Sequence, residues 1–217
     1  MGCTQIPSTY YGNFKRHLTD ISGGSRYLLT VMSSAYPGVS VVLPILNEER
    51  DLKSSISAIL EQSYPGEFEV ILALGPSTDR TNEIANSLHA SDERVVLVDN
   101  PTGRTASGLN AAIAKSKYPI ISRIDGHAEI SKDYLKRAVD IMQETGAVNV
   151  GGIMAAVGKN TFEKAVAIAM RSPLGVGASR FHTGGSAGPA DTVYLGTFKK
   201  DALVAAGGYD ERFTRAQ

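Results

Sequence analysis

Cys3 is the only cysteine of the chain's 217 residues, so no internal disulfide can form, and the composition fits a reducing compartment. No stretch approaches the roughly 18–20 consecutive apolar residues of a membrane-spanning helix, and the amino-terminal residues lack the apolar core of a secretory signal. A cytoplasmic protein is therefore expected. Neither sign of charge dominates: Lys plus Arg and Asp plus Glu both number 22. No basic field argues for nucleic acid, and any anionic ligand must be gripped locally. The chain also lacks a Gly-X-Gly-X-X-Gly turn after its first confident strand, where it reads Pro44-Ile45-Leu46-Asn47-Glu48. That counts against a dinucleotide-dependent oxidoreductase, whose pyrophosphate needs such a turn.

What is present is an alternation. Residues 1–38 show no sustained period and read as an irregular tail, with a change of texture at Met32 that suits a natural start there. From 39 to 217 the chain reads as one domain. Short β-branched runs at Val39 to Leu43, Phe68 to Leu74, Val95 to Val98 and Pro119 to Ile124 are of the kind buried in parallel sheets. Between them lie helical spacings, such as Leu52, Ile56, Ile59 and Leu60, with Asn47 a candidate cap and Glu48 and Glu49 suited to the first turn. A fourth helix runs from about Ser131 to Gly146. Further on, Val148 to Val157 and Thr192 to Phe198 suit strands, Phe162 to Met170 and Asp201 to Ala206 suit helices, and Ser172 to Asp191 is a Gly-, Ser- and Pro-rich loop. Fourfold strand–helix alternation predicts an α/β class, a doubly wound, Rossmann-like, mostly parallel sheet with helices on both faces.

Two polar clusters follow strand ends, Pro44 to Glu48 and Arg123-Ile124-Asp125-Gly126-His127. Ligands of open α/β sheets sit beyond the carboxyl ends of strands, so both clusters can serve one site. Together with Ser77-Thr78-Asp79-Arg80-Thr81, Asn100-Pro101 with Gly108-Leu109-Asn110-Ala111-Ala112, and Gly207-Gly208-Tyr209-Asp210-Glu211, they resemble the family 2 glycosyltransferases of GT-A fold. The likeness is strongest to the membrane-associated, succinoglycan-type enzymes of bacterial exopolysaccharide assembly.

This resemblance implies an inverting transfer of sugar from a nucleotide-diphosphate sugar, UDP favoured and GDP possible, to a glycan or lipid-linked acceptor in polysaccharide or cell-envelope synthesis. It implies donor contacts from Pro44, Asn47, Glu48, Asp79, Arg104, Asn110, Arg123 and Asp125, and a divalent cation, Mn²⁺ or Mg²⁺, at Asp125. Asp79 is equally suited to capping a helix, and Arg123 equally to pairing with a neighbouring carboxylate. Gly108 suits close helix packing.

The chain departs from the family in three places. The Asp-X-Asp motif has become Asp125-Gly126-His127, which makes His127 a second metal-ligand candidate and favours manganese. Leu74 and Gly75 stand where an acid that reads the base is usual. The family's general base follows the Gly-Gly-Tyr-Asp-Glu segment, so it is expected beyond Gln217, and Asp210 is a weak candidate. A piece of a longer enzyme is the simplest expectation, poorly active alone, with membrane association supplied by the absent part at the cytoplasmic face. A non-catalytic nucleotide-sugar binder is the alternative. Arg180 and His182, within Gly175 to Gly188, are candidates for a mobile acceptor-side loop.

Overall fold

The strand β2 (Val39–Ile45) alternates its side chains between two cores, as a pleated strand with helices on both faces must. Val41, Leu43 and Ile45 pack on one face, whereas Val42 packs on the other with Ile71, Ala73 and Ile121. The structure, a computed structural model, describes residues 3–5, 36–155, 160–170, 188–190 and 193–213.

The remaining strands are β1 (Cys3–Gln5), β3 (Phe68–Leu74), β4 (Val95–Asp99), β5 (Ile120–Arg123), β6 (Glu129–Ile130), β7 (Asn149–Ala155) and β8 (Tyr194–Lys199). They form a sheet of order β4-β3-β2-β5-β8-β7-β1-β6. Strands β2 to β5 run parallel, while β8 is antiparallel to both β5 and β7. The sheet is thus mostly parallel in its site-bearing half.

Helices α1 (Leu52–Leu60) and α4 (Tyr134–Thr145) cover the first face. Leu52, Ile56 and Ile59 of α1 and Leu135, Ala138, Val139 and Met142 of α4 are buried at helical spacing. Gly146 ends α4 in a left-handed conformation with φ 74, returning its N–H to the Met142 carbonyl at 3.0 Å. Helix α3 (Thr105–Lys115) covers the second face through Leu109 and Ala112, joined by Leu203 of α6 (Lys200–Ala205). Helix α2 (Thr81–Ser91) connects β3 to β4, and α5 (Thr161–Met170) follows β7.

At the amino end of the parallel strands the loop before β5 is stapled to the sheet. Buried Glu69 accepts bonds from Ser40 Oγ at 2.6 Å and from the Lys117 N–H at 2.9 Å. A carboxylate there satisfies donors that burial would otherwise leave unpaired.

Two features differ from the sequence reading. Cys3–Gln5, assigned to an irregular tail, is a strand between β7 and β6. Tyr36, at the end of the same segment, donates to Asp140 at 2.8 Å and meets Tyr64 edge-on, while Tyr64 donates to the Pro37 carbonyl. Three and two residues are too few to display a period, which is why β1 and β6 left no sequence signal. Met32, Arg180, His182 and all but residues 188–190 of the Gly-rich loop lie outside the described residues.

Candidate functional site

The chain steps from β2 outward through β3 to β4, then returns to the opposite side of β2 as β5. Loops leaving β2 and β5 therefore diverge, and a crevice opens at this switch point. Asn47 and Glu48 leave one lip; Asp125 and His127 leave the other.

The first lip is laced to the loop after β3. Asn47 adopts φ 56, a left-handed conformation that Asn tolerates better than most residues. Its side-chain oxygen accepts from the Thr78 N–H at 2.8 Å, and its own N–H donates to Ser77 Oγ at 3.1 Å. The Glu48 N–H donates to Thr81 Oγ1 at 2.7 Å. Asp79 accepts from the N–H groups of Thr81 and Glu49 at 3.0 and 3.2 Å; the Thr81 hydroxyl first, with these N–H groups adding and burial opposing, holds its carboxyl below the usual range. The capping reading of Asn47 is corrected here: α1 begins at Leu52 after Asp51, with no acidic residue in its first turn. Glu48 nevertheless serves α1 through its carbonyl, which accepts from Asp51 and Leu52 at 3.1 and 2.9 Å.

Across the crevice, His127 Nδ1 lies 2.9 Å from Glu48 Oε1. The bond to Glu48 raises the imidazole pKa above its ordinary value; partial burial opposes this, and the charges of Glu48 and Asp125 add to it. Gly126 permits the approach, because a Cβ there would stand 3.0 Å from Glu48 Cγ.

Asp125 stands beside a different partner. Arg123 directs Nε and Nη2 at one oxygen, Oδ1, both at 3.3 Å, and its guanidinium lies 5.8 Å from the centroid of Tyr209. Residues two apart on an extended chain share a face, which explains the pairing. Tyr194, at the start of β8, has its phenol pushed up to about 12, chiefly by burial, with the Asp125 charge adding and Arg123 opposing. Tyr194 was not singled out in the sequence, since an aromatic opening a strand is ordinary.

The amino-terminal half of α3 meets the chain's Gly-Gly-Tyr-Asp-Glu segment. Asn110 exchanges two bonds with the backbone of Tyr209, at 2.8 and 2.9 Å, and donates to Glu211 Oε1 at 2.9 Å. Ser107 donates to the other Glu211 oxygen at 2.8 Å. These bonds and the Arg104 charge hold the Glu211 carboxyl below its usual range. Gly108 lets α3 approach β2: a Cβ there would stand 2.7 Å from Asn100 Nδ2 and 3.2 Å from Pro44 Cβ. Arg104 is exposed at the start of α3. Asp210 points to Arg212, whose side chain and N–H hold its carboxyl at about 2, a poor value for a general base.

Among the polar groups of the β2 and β3 loops, Leu46 adds one apolar side chain. Leu46 is 41% exposed, and a Cβ on Gly75 would stand 3.1 Å from its Cδ1.

No three acidic, His or Cys side chains converge as a preformed cage among the described residues. A cation of the Mg²⁺ or Mn²⁺ type instead binds through one or two protein groups and completes its shell with substrate phosphates. Asp125 and His127 fit that pattern. Asp125 supplies a hard oxygen ligand, and Glu48 on Nδ1 turns His127 into the carboxylate-oriented imidazole that ligating histidines usually are.

Such a sheet, with polar lips at the switch beside β2, is that of the GT-A glycosyltransferases, and solved structures of that kind match. A mannosyltransferase of Pyrobaculum calidifontis, PcManGT, in complex with GDP-Man and Mn²⁺, superposes with a TM-score of 0.59 at 24% identity, covering 82% of this chain and 48% of that one. Staphylococcus aureus TarS in complex with UDP-GlcNAc gives 0.55 at 18% identity, covering 79% and 48%. Residues 40–203 match Glycosyl transferase family 2, and the chain belongs to that family. The succinoglycan biosynthesis protein ExoA of Rhizobium meliloti is 38% identical over 178 residues, 80% of this chain and 53% of that protein. Glycosyltransferase AglE of Haloferax volcanii is 31% identical over 123 residues, 56% of this chain and 40% of that one. The chain thus spans about half the length, or less, of these relatives. Family membership sets aside the oxidoreductase reading. No helix among the described residues is long and apolar enough to cross a membrane.

Proposed function

We propose that this chain carries the donor site of an inverting glycosyltransferase that moves a sugar from a nucleoside-diphosphate sugar to a glycan or lipid-linked acceptor in polysaccharide or cell-envelope synthesis. The carrying observation is the meeting of Glu48 with His127, next to Asp125, across the switch point. Similarity to a succinoglycan biosynthesis protein supports the pathway class. GDP-Man and UDP-GlcNAc in the two solved structures support the donor class, with UDP favoured and GDP possible here.

In such a reaction the acceptor hydroxyl attacks the anomeric carbon opposite the diphosphate. Its proton passes to a base, and the bond from the anomeric carbon to the phosphate oxygen breaks. Asp125 and His127 would hold Mn²⁺ or Mg²⁺, which when bound neutralises the charge that develops on the leaving diphosphate. The chain's own residues orient. Glu48 fixes the His127 ring, Gly126 lets them meet, and Asn47 braces the β2 loop against Thr78. Arg104, Arg123, Pro44 and Asp79 complete the donor wall, with Asn110 acting through Tyr209 and Glu211.

The test is calorimetric titration with UDP and GDP, with and without Mn²⁺, on the parent chain and on Asp125→Ala. Metal-dependent binding that Asp125→Ala removes is expected. Binding indifferent to both metal and Asp125 would refute the assignment.

A further inference from the structure

We propose that Arg123 is a resident counter-ion of Asp125 that changes partner when the donor loads, leaving the carboxylate to the divalent cation and moving its guanidinium to the diphosphate. The inference rests on the donor-site reading above and concerns what Arg123 does within it.

The pair is built to be exchanged. A guanidinium and a carboxylate at their best make two parallel bonds to two oxygens at about 2.7–2.9 Å. Here both N–H groups converge on a single oxygen, and both bonds are 3.3 Å long. The side chains are 22% and 25% exposed, so water competes for each. Such a pairing neutralises Asp125 without occupying all of it.

Arg123 also has a second support that does not depend on Asp125. Its guanidinium lies 5.8 Å from the Tyr209 ring centroid, within cation–π range. Tyr209 is pinned in turn, its backbone bonded to Asn110 at 2.8 and 2.9 Å and its ring edge-on to Phe198 at 6.4 Å. The platform therefore stays when the carboxylate is withdrawn. The Arg123 backbone is equally fixed, in register with Val42 of the neighbouring strand. Only the side chain has to turn.

Charge supplies the direction. A divalent cation arriving at Asp125 repels a guanidinium on the same oxygen, whereas the diphosphate brings new negative charge within reach of Arg123. The other charged groups beside Asp125 do not offer an alternative, because His127 is held by Glu48. Tyr194 and Tyr209 are neutral neighbours whose phenols sit above their ordinary pKa, mainly through burial. Arg123 is then both a brake on binding of the bare metal and a clamp on the loaded donor.

This dual role has a signature of opposite signs. In Arg123→Gln, Mn²⁺ alone, followed by calorimetry and by the electron paramagnetic signal of free Mn²⁺, is expected to bind several-fold more tightly. UDP or GDP at saturating Mn²⁺ is expected to bind about tenfold more weakly, the size of one lost charge-assisted contact. Arg123→Lys, which keeps the charge, should leave Mn²⁺ affinity near that of the parent, and thermal melts report whether each variant is folded. Unchanged or weakened Mn²⁺ binding in a folded Arg123→Gln chain would overturn the exchange. If Asp125→Ala abolishes metal-dependent nucleotide binding while Arg123→Gln moves neither affinity, the exchange fails and the donor site stands. If the parent chain binds no nucleotide with Mn²⁺, both fall.

Discussion

Glu48 Oε1 accepts a hydrogen bond from His127 Nδ1 at 2.9 Å, joining loops 79 residues apart in the chain. An ionised carboxylate can only accept, so Nδ1 carries the proton and Nε2 is left for a ligand.

The raised His127 pKa gives this bond a pH dependence with a definite sign. A group whose pKa is raised in the folded state stabilises it fully below the unfolded value, about 6.5, and the benefit is lost as pH rises through the folded value. The stability difference between the parent and Glu48→Gln should therefore be largest just below about 6.5 and shrink as pH rises through the folded His127 value. NMR titration of the His127 ring checks it directly. Titration at or below about 6.5 in the parent chain would remove the basis of this expectation.

Gly126→Ala places a Cβ 3.0 Å from Glu48 Cγ, closer than most such contacts, so the Glu48 side chain must give by a few tenths of an ångström and its bond to His127 is weakened. The variant is expected to remain folded, to lower the His127 pKa toward its ordinary value, and to weaken Mn²⁺-dependent nucleotide binding. Binding equal to that of the parent chain would show that the contact does not shape the site.

Asn110→Ala removes the bonds to Tyr209 and Glu211 together. A loss of about 1–3 kcal/mol is expected, the cost of leaving partly buried partners unsatisfied. Hydrogen exchange at the Tyr209 amide should accelerate selectively. Uniform acceleration across the sheet would instead mean that α3 itself has loosened.

Glu69→Leu tests the staple at the amino end of the strands. It strips Ser40 Oγ and the Lys117 N–H of their acceptor in a buried setting, at about 1–3 kcal/mol. Because this end lies away from the crevice, nucleotide affinity should hold while the melting temperature falls. Affinity falling in parallel at temperatures well below the melt would contradict that separation.

Sequence reading recovered what long local patterns encode. Phe68 to Leu74 is an apolar run broken only by Glu69 and emerged as a strand with those bounds. Leu52, Ile56 and Ile59 gave α1 its buried stripe. Asn47 was assigned a local partner because Asn caps helices often, but its φ of 56 turned the side chain toward Thr78, 31 residues away. Asp125 and His127 were legible as chemistry. That Glu48 would hold His127 was not, since pairing across a crevice leaves no period in the chain, whereas the pairing of Arg123 with a neighbouring carboxylate was among the expectations and is local, two residues apart.

At the crevice rim, Leu46 and Gly75 present aliphatic surface and bare peptide, and Leu74 and Gly75 are the positions where the family resemblance implies an acid that reads the base. Strong rejection of a wrong partner comes from polar side chains that a misfit leaves unsatisfied, and nonpolar walls discriminate only weakly. This rim should therefore grade nucleobases by shape, with UDP and GDP affinities within about tenfold of each other. A hundredfold preference in the same titrations would place the selecting group elsewhere. Where the bases are sorted only within about tenfold, sugar choice rather than base choice carries the fidelity of the product.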